Sequence, residues 1–262
     1  MKAAINVWTW GTDNKADFEQ ALKEVSDIGY RYVENIGSIG DAFADGAEFD
    51  ELLARYDTKM VCSYYHLSGD EANDRDRLER YVQFAQSRGV PFMNVQAAGR
   101  PAGGPSQADL AKTTETLKRV SERARKAGIV PCLHPHFQTV IEQAHEIAFV
   151  MERVDPALLA LSLDTGHAVL GGMDPVATCR QYADRVRYVH MKDITTQRDP
   201  ARHWASNFRE LGRGVVDFPG IVAILEQAGF DGYLTVELDM PRICGYKSAA
   251  ISRQYLKEEL GL

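Results

Sequence analysis

The chain has 262 residues, 45% of them hydrophobic and 26% charged, enough to bury a core of ordinary size, and its formal net charge is −7. That negative balance argues against a surface built to attract nucleic acid phosphates, and no apolar segment is long enough to span a bilayer. The four cysteines, Cys62, Cys132, Cys179 and Cys244, form no CxxC pair. This sets aside a thiolate zinc knuckle or a disulfide framework and points to reduced thiols in a cytoplasmic protein; the start, MKAAINVWTWGTDNK, lacks the apolar length of a signal peptide.

In chain order, a first β-run near 3–8 is followed by a helical pattern over 15–28 that stops at Gly29, and a second run follows near 31–35. A short helix near 47–56 leads to a strand near 59–66, and helix 72–88, with Leu78, Tyr81, Val82 and Ala85 at helical spacing, leads through Gly89 to a strand near 92–97. Helix 107–127, Gly128 and a strand near 129–134 repeat the beat. Helix 141–154 precedes a strand near 158–164, and a short helix near 174–182 precedes one near 186–191. Helix 217–228 reaches Gly229 before the last strand near 233–238. Gly29, Gly89, Gly128 and Gly229 are expected just past helix ends, where a left-handed backbone is cheap only for glycine.

Eight βα units in this length predict one (β/α)₈ barrel domain over 1–262 rather than an open doubly wound sheet, which would need a glycine-rich phosphate loop after the first strand. VWTWGTDN has a single glycine there. The long irregular stretch Ile194 to Val215 is expected to form a lid, and Gly99 to Ser106 a second loop at the same end of the barrel.

A barrel places its active site at the C-terminal strand ends, whatever the chemistry. Those ends carry Glu34, His66, Gln96, His134 with His136, Asp164 with His167, His190 with Lys192 and Asp193, and Glu237 with Asp239. Each alone has an ordinary structural reading: a terminal acid caps the next helix, and a lone histidine packs with one hydrogen bond. Together they are harder to dismiss. Asp164, His190 and Glu237 each finish a β-run (ALSLD, VRYVH, YLTVE), so closure of the barrel aims all three at one pocket. Two carboxylates and an imidazole meeting there would desolvate badly without a cation between them, and a divalent ion meets that need. Oxygen donors with one nitrogen and no thiolate favour Mn²⁺, Mg²⁺ or Co²⁺ over a structural zinc. The fourth ligand is expected from the fifth strand or just beyond it, with Glu142 and His134 as candidates.

The passages HPHFQTVIE, SLDTGH, YVHMKD and LGRGVVDFPGIVAILEQAGFDGYLTVELD, in that order, resemble the xylose-isomerase-like sugar isomerases and epimerases. The resemblance covers nearly the whole chain. It implies a (β/α)₈ barrel holding one divalent ion through Glu, Asp, His and Glu, with manganese first in line and Mg²⁺, Co²⁺ or Zn²⁺ as alternatives. By motif the Asp is Asp164, the His is His190 and the last Glu is Glu237, and His167 matches a histidine that holds a substrate oxygen. The epimerases end the fifth strand with Glu, whereas this chain reads CLHPH; as in the inosose dehydratase branch, Glu142 in a T-x-x-E turn is expected to supply that carboxylate. The arginine that epimerases carry after the metal histidine is replaced by Thr196, with Arg198, Arg202 or His203 as substitutes.

The resemblance implies an enediolate formed by loss of an α-proton from a metal-bound keto-sugar. Glu237 is the expected base, with Glu142, His136 or His167 as partner acid, and Glu34, His66, His134, His167, Lys192, Arg198 and His203 are expected around the substrate. Return of the proton gives isomerisation or epimerisation, the leading expectation. Loss of a β-hydroxyl from the same intermediate gives an inosose-dehydratase-like or keto-glycoside lyase reaction. A DNA-repair enzyme like AP endonuclease IV shares the fold but needs more histidines on the third and fourth strands, where this chain has His66 and Gln96; a non-catalytic sugar-binding barrel is a further reading. The expected partner is a small sugar or cyclitol, neither nucleic acid nor membrane, and self-association is compatible with the sequence. Trp8, Trp10, Tyr64, Tyr65 and Trp204 could wall a sugar ring, although core packing is expected for at least half of them.

Overall fold

The computed structural model describes residues 1–11, 14–43, 46–195 and 202–262. Eight parallel strands close into a barrel: β1 (Lys2–Asn6), β2 (Tyr32–Ile36), β3 (Lys59–His66), β4 (Phe92–Gln96), β5 (Val130–Leu133), β6 (Ala160–Asp164), β7 (Val186–Met191) and β8 (Tyr233–Val236). They run in sequence order around the ring, and β8 pairs with β1 to close it, Lys2 opposite Tyr233 and Ile5 opposite Val236. No edge is left, so the barrel strands lack the unpaired rim at which open sheets aggregate.

The outward faces of the strands and the inward faces of the helices form the main apolar core. Helix Lys15–Ile28 buries Phe18, Ala21, Leu22 and Val25, spaced for one helical face, and Phe18 stacks on Phe49 of helix Gly46–Arg55 at 5.3 Å between ring centroids. Burying such a ring fully contributes about 2–3 kcal/mol. Close packing excludes a side chain at Gly37, just past β2, where an added Cβ would lie 2.3 Å from the Tyr81 ring of helix Glu71–Ser87. The four expected helix-terminating glycines all have positive φ, from 61° at Gly89 to 100° at Gly29.

Inside the barrel the N-terminal end is plugged by the rings of Tyr32, Phe92, Tyr188 and Tyr233, with Lys2 Nζ lying over two of them. Polar side chains fill the C-terminal end. The strand register brings Asp164 beside His190 and His190 beside Thr235.

Three elements differ from the sequence reading. The helix expected over 141–154 spans only Ala144–Met151, because Gln143 and Glu146 form a reciprocal capping box that starts it there. Asp164 is followed at once by a helix, Thr165–Leu170. A final helix, Gly245–Leu260, is absent from the reading because its buried face includes Ser248, Ala249 and Ser252, small or polar residues that weaken the apolar period. Among the described residues, no helix is long and apolar enough to cross a membrane. The four cysteines are free thiols, Cys62, Cys132 and Cys179 buried.

Candidate metal and active centre

At the C-terminal end of the barrel, Asp164, His190 and Glu237 each present one ligand-type atom, and these lie within 4.8 Å of one another; His134, Asp164 and His167 form a second such group that shares the aspartate. Asp164 Oδ2, His190 Nδ1 and Glu237 Oε2 are buried and lack a hydrogen-bond partner. They are nonetheless crowded: His190 Nδ1 is 2.6 Å from Glu237 Oε2 and 3.6 Å from Asp164 Oδ2. Two buried carboxylates that meet an imidazole at one point need positive charge between them, supplied here by the His190 ring, where burial opposes the charge but Glu34 and Glu237 outweigh it and raise the pKa, and by Lys192; the residues present therefore fit a divalent ion in that place.

Asp164 answers both readings of a strand-terminal acid. Its Oδ1 accepts the His167 backbone N–H at 2.7 Å, capping helix Thr165–Leu170, while Oδ2 faces the centre. Lys192 reaches into the same centre, its Nζ 2.9 Å from Glu237 Oε2, 3.0 Å from Asp239 Oδ2 and 3.4 Å from Asp164 Oδ2. Burial opposes the charge on Lys192, but the three carboxylates outweigh it and raise its pKa. Burial likewise works against ionisation of Glu237, and Lys192 with His190 overcomes it, holding that carboxyl well below its usual range. Asp239 is pushed up to about 6, chiefly by burial.

Three imidazoles line the other side. His134 and His167 are buried, and desolvation first, then neighbouring imidazoles and, for His167, Lys192, keeps both well below the ordinary histidine value. His136 packs tilted against His167 with centroids 3.7 Å apart and is lowered to about 4, again mainly by burial and then by Lys192. Its Nδ1 is 2.7 Å from the Phe137 carbonyl oxygen. A carbonyl only accepts, so Nδ1 carries the proton and Nε2 of the neutral ring keeps its lone pair. Above these groups opens a cavity of about 440 Å³, whose wall includes Tyr64, His136, Trp204, Glu237 and Asp239.

Several expected site residues sit elsewhere than the sequence suggested. Glu142, expected among the metal ligands and as an acid, is a member of neither ligand group: its Oε2 accepts the Gln138 N–H at 2.8 Å and lies 3.8 Å from Arg100 Nε. Glu34, expected to bind substrate, is fully buried below His190 and does not reach the cavity wall. Asp193 points to the adjoining loop, accepting from the backbone N–H groups of Gly214 and Val216. His66 does line the cavity, with Arg77 donating to its carbonyl at 2.7 Å. His203 is on the rim, its Nδ1 accepting from the Ala205 N–H. Arg198 lies outside the described residues.

Of the five aromatic residues, Trp8, Tyr64 and Trp204 border the cavity, whereas Tyr65 is in the core with its hydroxyl donating to the Asp74 carbonyl. Trp10 Nε1 donates to Glu24. The expected lid begins as an antiparallel pairing of Asp193–Ile194 with Phe208–Arg209, and its short turn Trp204–Asn207 sets Trp204 against His136 and His167. The sequence reading missed Asn94 on β4, whose Nδ2 donates to Glu34 Oε1 at 2.9 Å. A polar residue inside the apolar run FMNVQ is the same kind of signal that singled out Asp164.

Comparison with known proteins fits this geometry. The model of the xylose isomerase-like TIM barrel family matches residues 22–259. An inosose dehydratase from Clostridium perfringens strain 13 is 32% identical over 296 aligned positions, covering all of this chain and 98% of the relative. One from Geobacillus kaustophilus is 28% identical, covering 91% and 86%. Among solved structures, a xylose isomerase-like TIM barrel protein from Mycobacterium smegmatis in complex with magnesium superposes with a TM-score of 0.79 at 19% identity, over 97% of this chain and 94% of that one.

Proposed function

Because this chain belongs to the xylose isomerase-like TIM barrel family, we propose that it is a divalent-metal-dependent lyase that removes water from a polyhydroxylated cyclic ketone of the inosose type. The observation that carries this reading is the run His134-Pro135-His136 at the end of β5. It puts neutral imidazoles where epimerases of this family carry the second acid/base carboxylate, and the dehydratase relatives match this chain end to end.

Asp164, His190 and Glu237 would hold the ion, with His134, whose Nε2 is 3.8 Å from Asp164 Oδ2, as the fourth ligand in place of Glu142. Two oxygen and two nitrogen donors without thiolate suit Mn²⁺, Mg²⁺, Co²⁺ or a catalytic Zn²⁺. When bound, the ion supplies Lewis-acid stabilisation for negative charge developing on a carbonyl oxygen.

His136 is the base: its bare Nε2 and lowered pKa leave it neutral and ready to take the α-proton at pH 7. Asp239, raised to about 6 and on the cavity wall, gives a proton to the departing β-hydroxyl from the minor protonated fraction present at pH 7. The C–H electron pair forms the new double bond as the C–O bond breaks, and the hydroxyl leaves as water. Trp204 covers the imidazoles and keeps solvent from the base.

The test is to incubate the Mn²⁺-loaded protein with an inosose in deuterated water and follow proton NMR and ultraviolet absorption. A dehydrated, conjugated product is the expected result. Deuterium uptake without dehydration would replace this reading by isomerisation or epimerisation, and no exchange across ketoses and inososes would favour a binding protein.

A further inference from the structure

We propose that Glu34 is a positioning residue for the metal site, fixing the tautomer of His190 so that Nδ1 is bare and can coordinate. This rests on the ion site argued above. The two ring nitrogens of His190 face different surroundings. Nδ1 points at Asp164 and Glu237, 2.6 Å from Glu237 Oε2, while Nε2 is 2.7 Å from Glu34 Oε2 and 3.1 Å from Asn94 Nδ2. With an ion in place of a proton between Nδ1, Asp164 and Glu237, the ring proton belongs on Nε2, where Glu34 Oε2 is the nearer of two neighbours and accepts it.

Glu34 is held for this task. It is fully buried on β2, 156 residues from its partner, and its second oxygen, Oε1, accepts from Asn94 Nδ2 at 2.9 Å. Asn94 thus orients the carboxylate. A buried carboxylate so placed has no route to substrate. Its effect runs through the imidazole, as carboxylates behind ligand histidines act in metal sites generally.

The test is Co²⁺ and Zn²⁺ binding by the full chain, using the visible spectrum of the Co²⁺ form and competition with a chelator. Glu34→Gln can present its amide N–H to Nε2 and so favour the opposite tautomer; its affinity should fall about 10- to 100-fold with an altered Co²⁺ spectrum. Glu34→Gln that binds as tightly as the unsubstituted protein, with the same spectrum, overturns the proposal while leaving the ion site standing. No binding by the unsubstituted protein removes both. Should Glu34→Gln fail to fold, ¹⁵N NMR of the unsubstituted Zn²⁺ form decides: a protonated Nε2 and a coordinated Nδ1 on His190 support the proposal, and coordination through Nε2 refutes it.

Discussion

His167 donates its backbone N–H to Asp164 Oδ1 at 2.7 Å, so a single carboxylate ends a barrel strand, caps the next helix and turns its other oxygen to the metal centre. The two roles separate by mutation. Asp164→Asn keeps a good cap and should leave unfolding near that of the parent, yet lose most divalent-ion affinity. Asp164→Ala should lose the ion and about 1 kcal/mol of stability besides. Urea unfolding beside metal titration reads both; an Asn variant that still binds normally would remove Asp164 from the ligand set.

His134 and Glu142 make opposite predictions for the fourth ligand. His134→Ala should weaken ion binding at least tenfold, because it removes a nitrogen facing Asp164. Glu142→Ala should leave binding within about twofold and instead loosen the turn at Gln138, whose N–H it accepts. The reverse pattern in calorimetric titrations would restore Glu142 as the ligand.

Lys192 should matter most when no divalent ion is bound. Its ammonium lies within 3.4 Å of Asp164, Glu237 and Asp239. Lys192→Met leaves two buried carboxylates and the part-buried Asp239 facing one another, at a cost of about 3–5 kcal/mol in chelator-treated protein. Added Mn²⁺ supplies positive charge at the same place, so the deficit relative to the parent should shrink. An equal deficit with and without Mn²⁺ would show that Lys192 acts by packing alone.

Acid should undo a second, distant arrangement. Burial opposes ionisation of Asp74, but hydrogen bonds from Ser68, Gly69 and Arg77 outweigh it and hold the carboxyl below its ordinary value. A depressed folded pKa means that the contribution is complete above about pH 4, the unfolded value, and is lost as pH falls through the folded one. Asp74→Asn should therefore destabilise by about 1.5–3 kcal/mol at pH 7 and by much less near pH 2. Urea unfolding at the two pH values checks this; a deficit that does not shrink in acid would assign the effect to shape rather than charge.

The features legible in the sequence are those set by local period and composition. Apolar runs that follow a helix-ending glycine marked the strands, and a carboxylate or imidazole at the end of such a run marked Asp164, His190 and Glu237, because a parallel barrel sends every strand end to one mouth. The last helix was illegible for the same reason, since Ser248 and Ser252 on its buried face leave no apolar period to read.

Only the tertiary structure decided which way each side chain turns. Glu142 is eight residues past His134, close enough in the chain to serve the same site, but its carboxylate meets the Gln138 N–H and Arg100, partners that no spacing announces. Glu34 lies in the middle of its strand, whereas Glu237 follows the end of its own, and the two meet opposite nitrogens of the His190 ring. Spacing along a strand gives the face on which a residue sits. The depth at which it meets a partner 156 residues away follows from barrel closure and strand stagger, which no local pattern encodes.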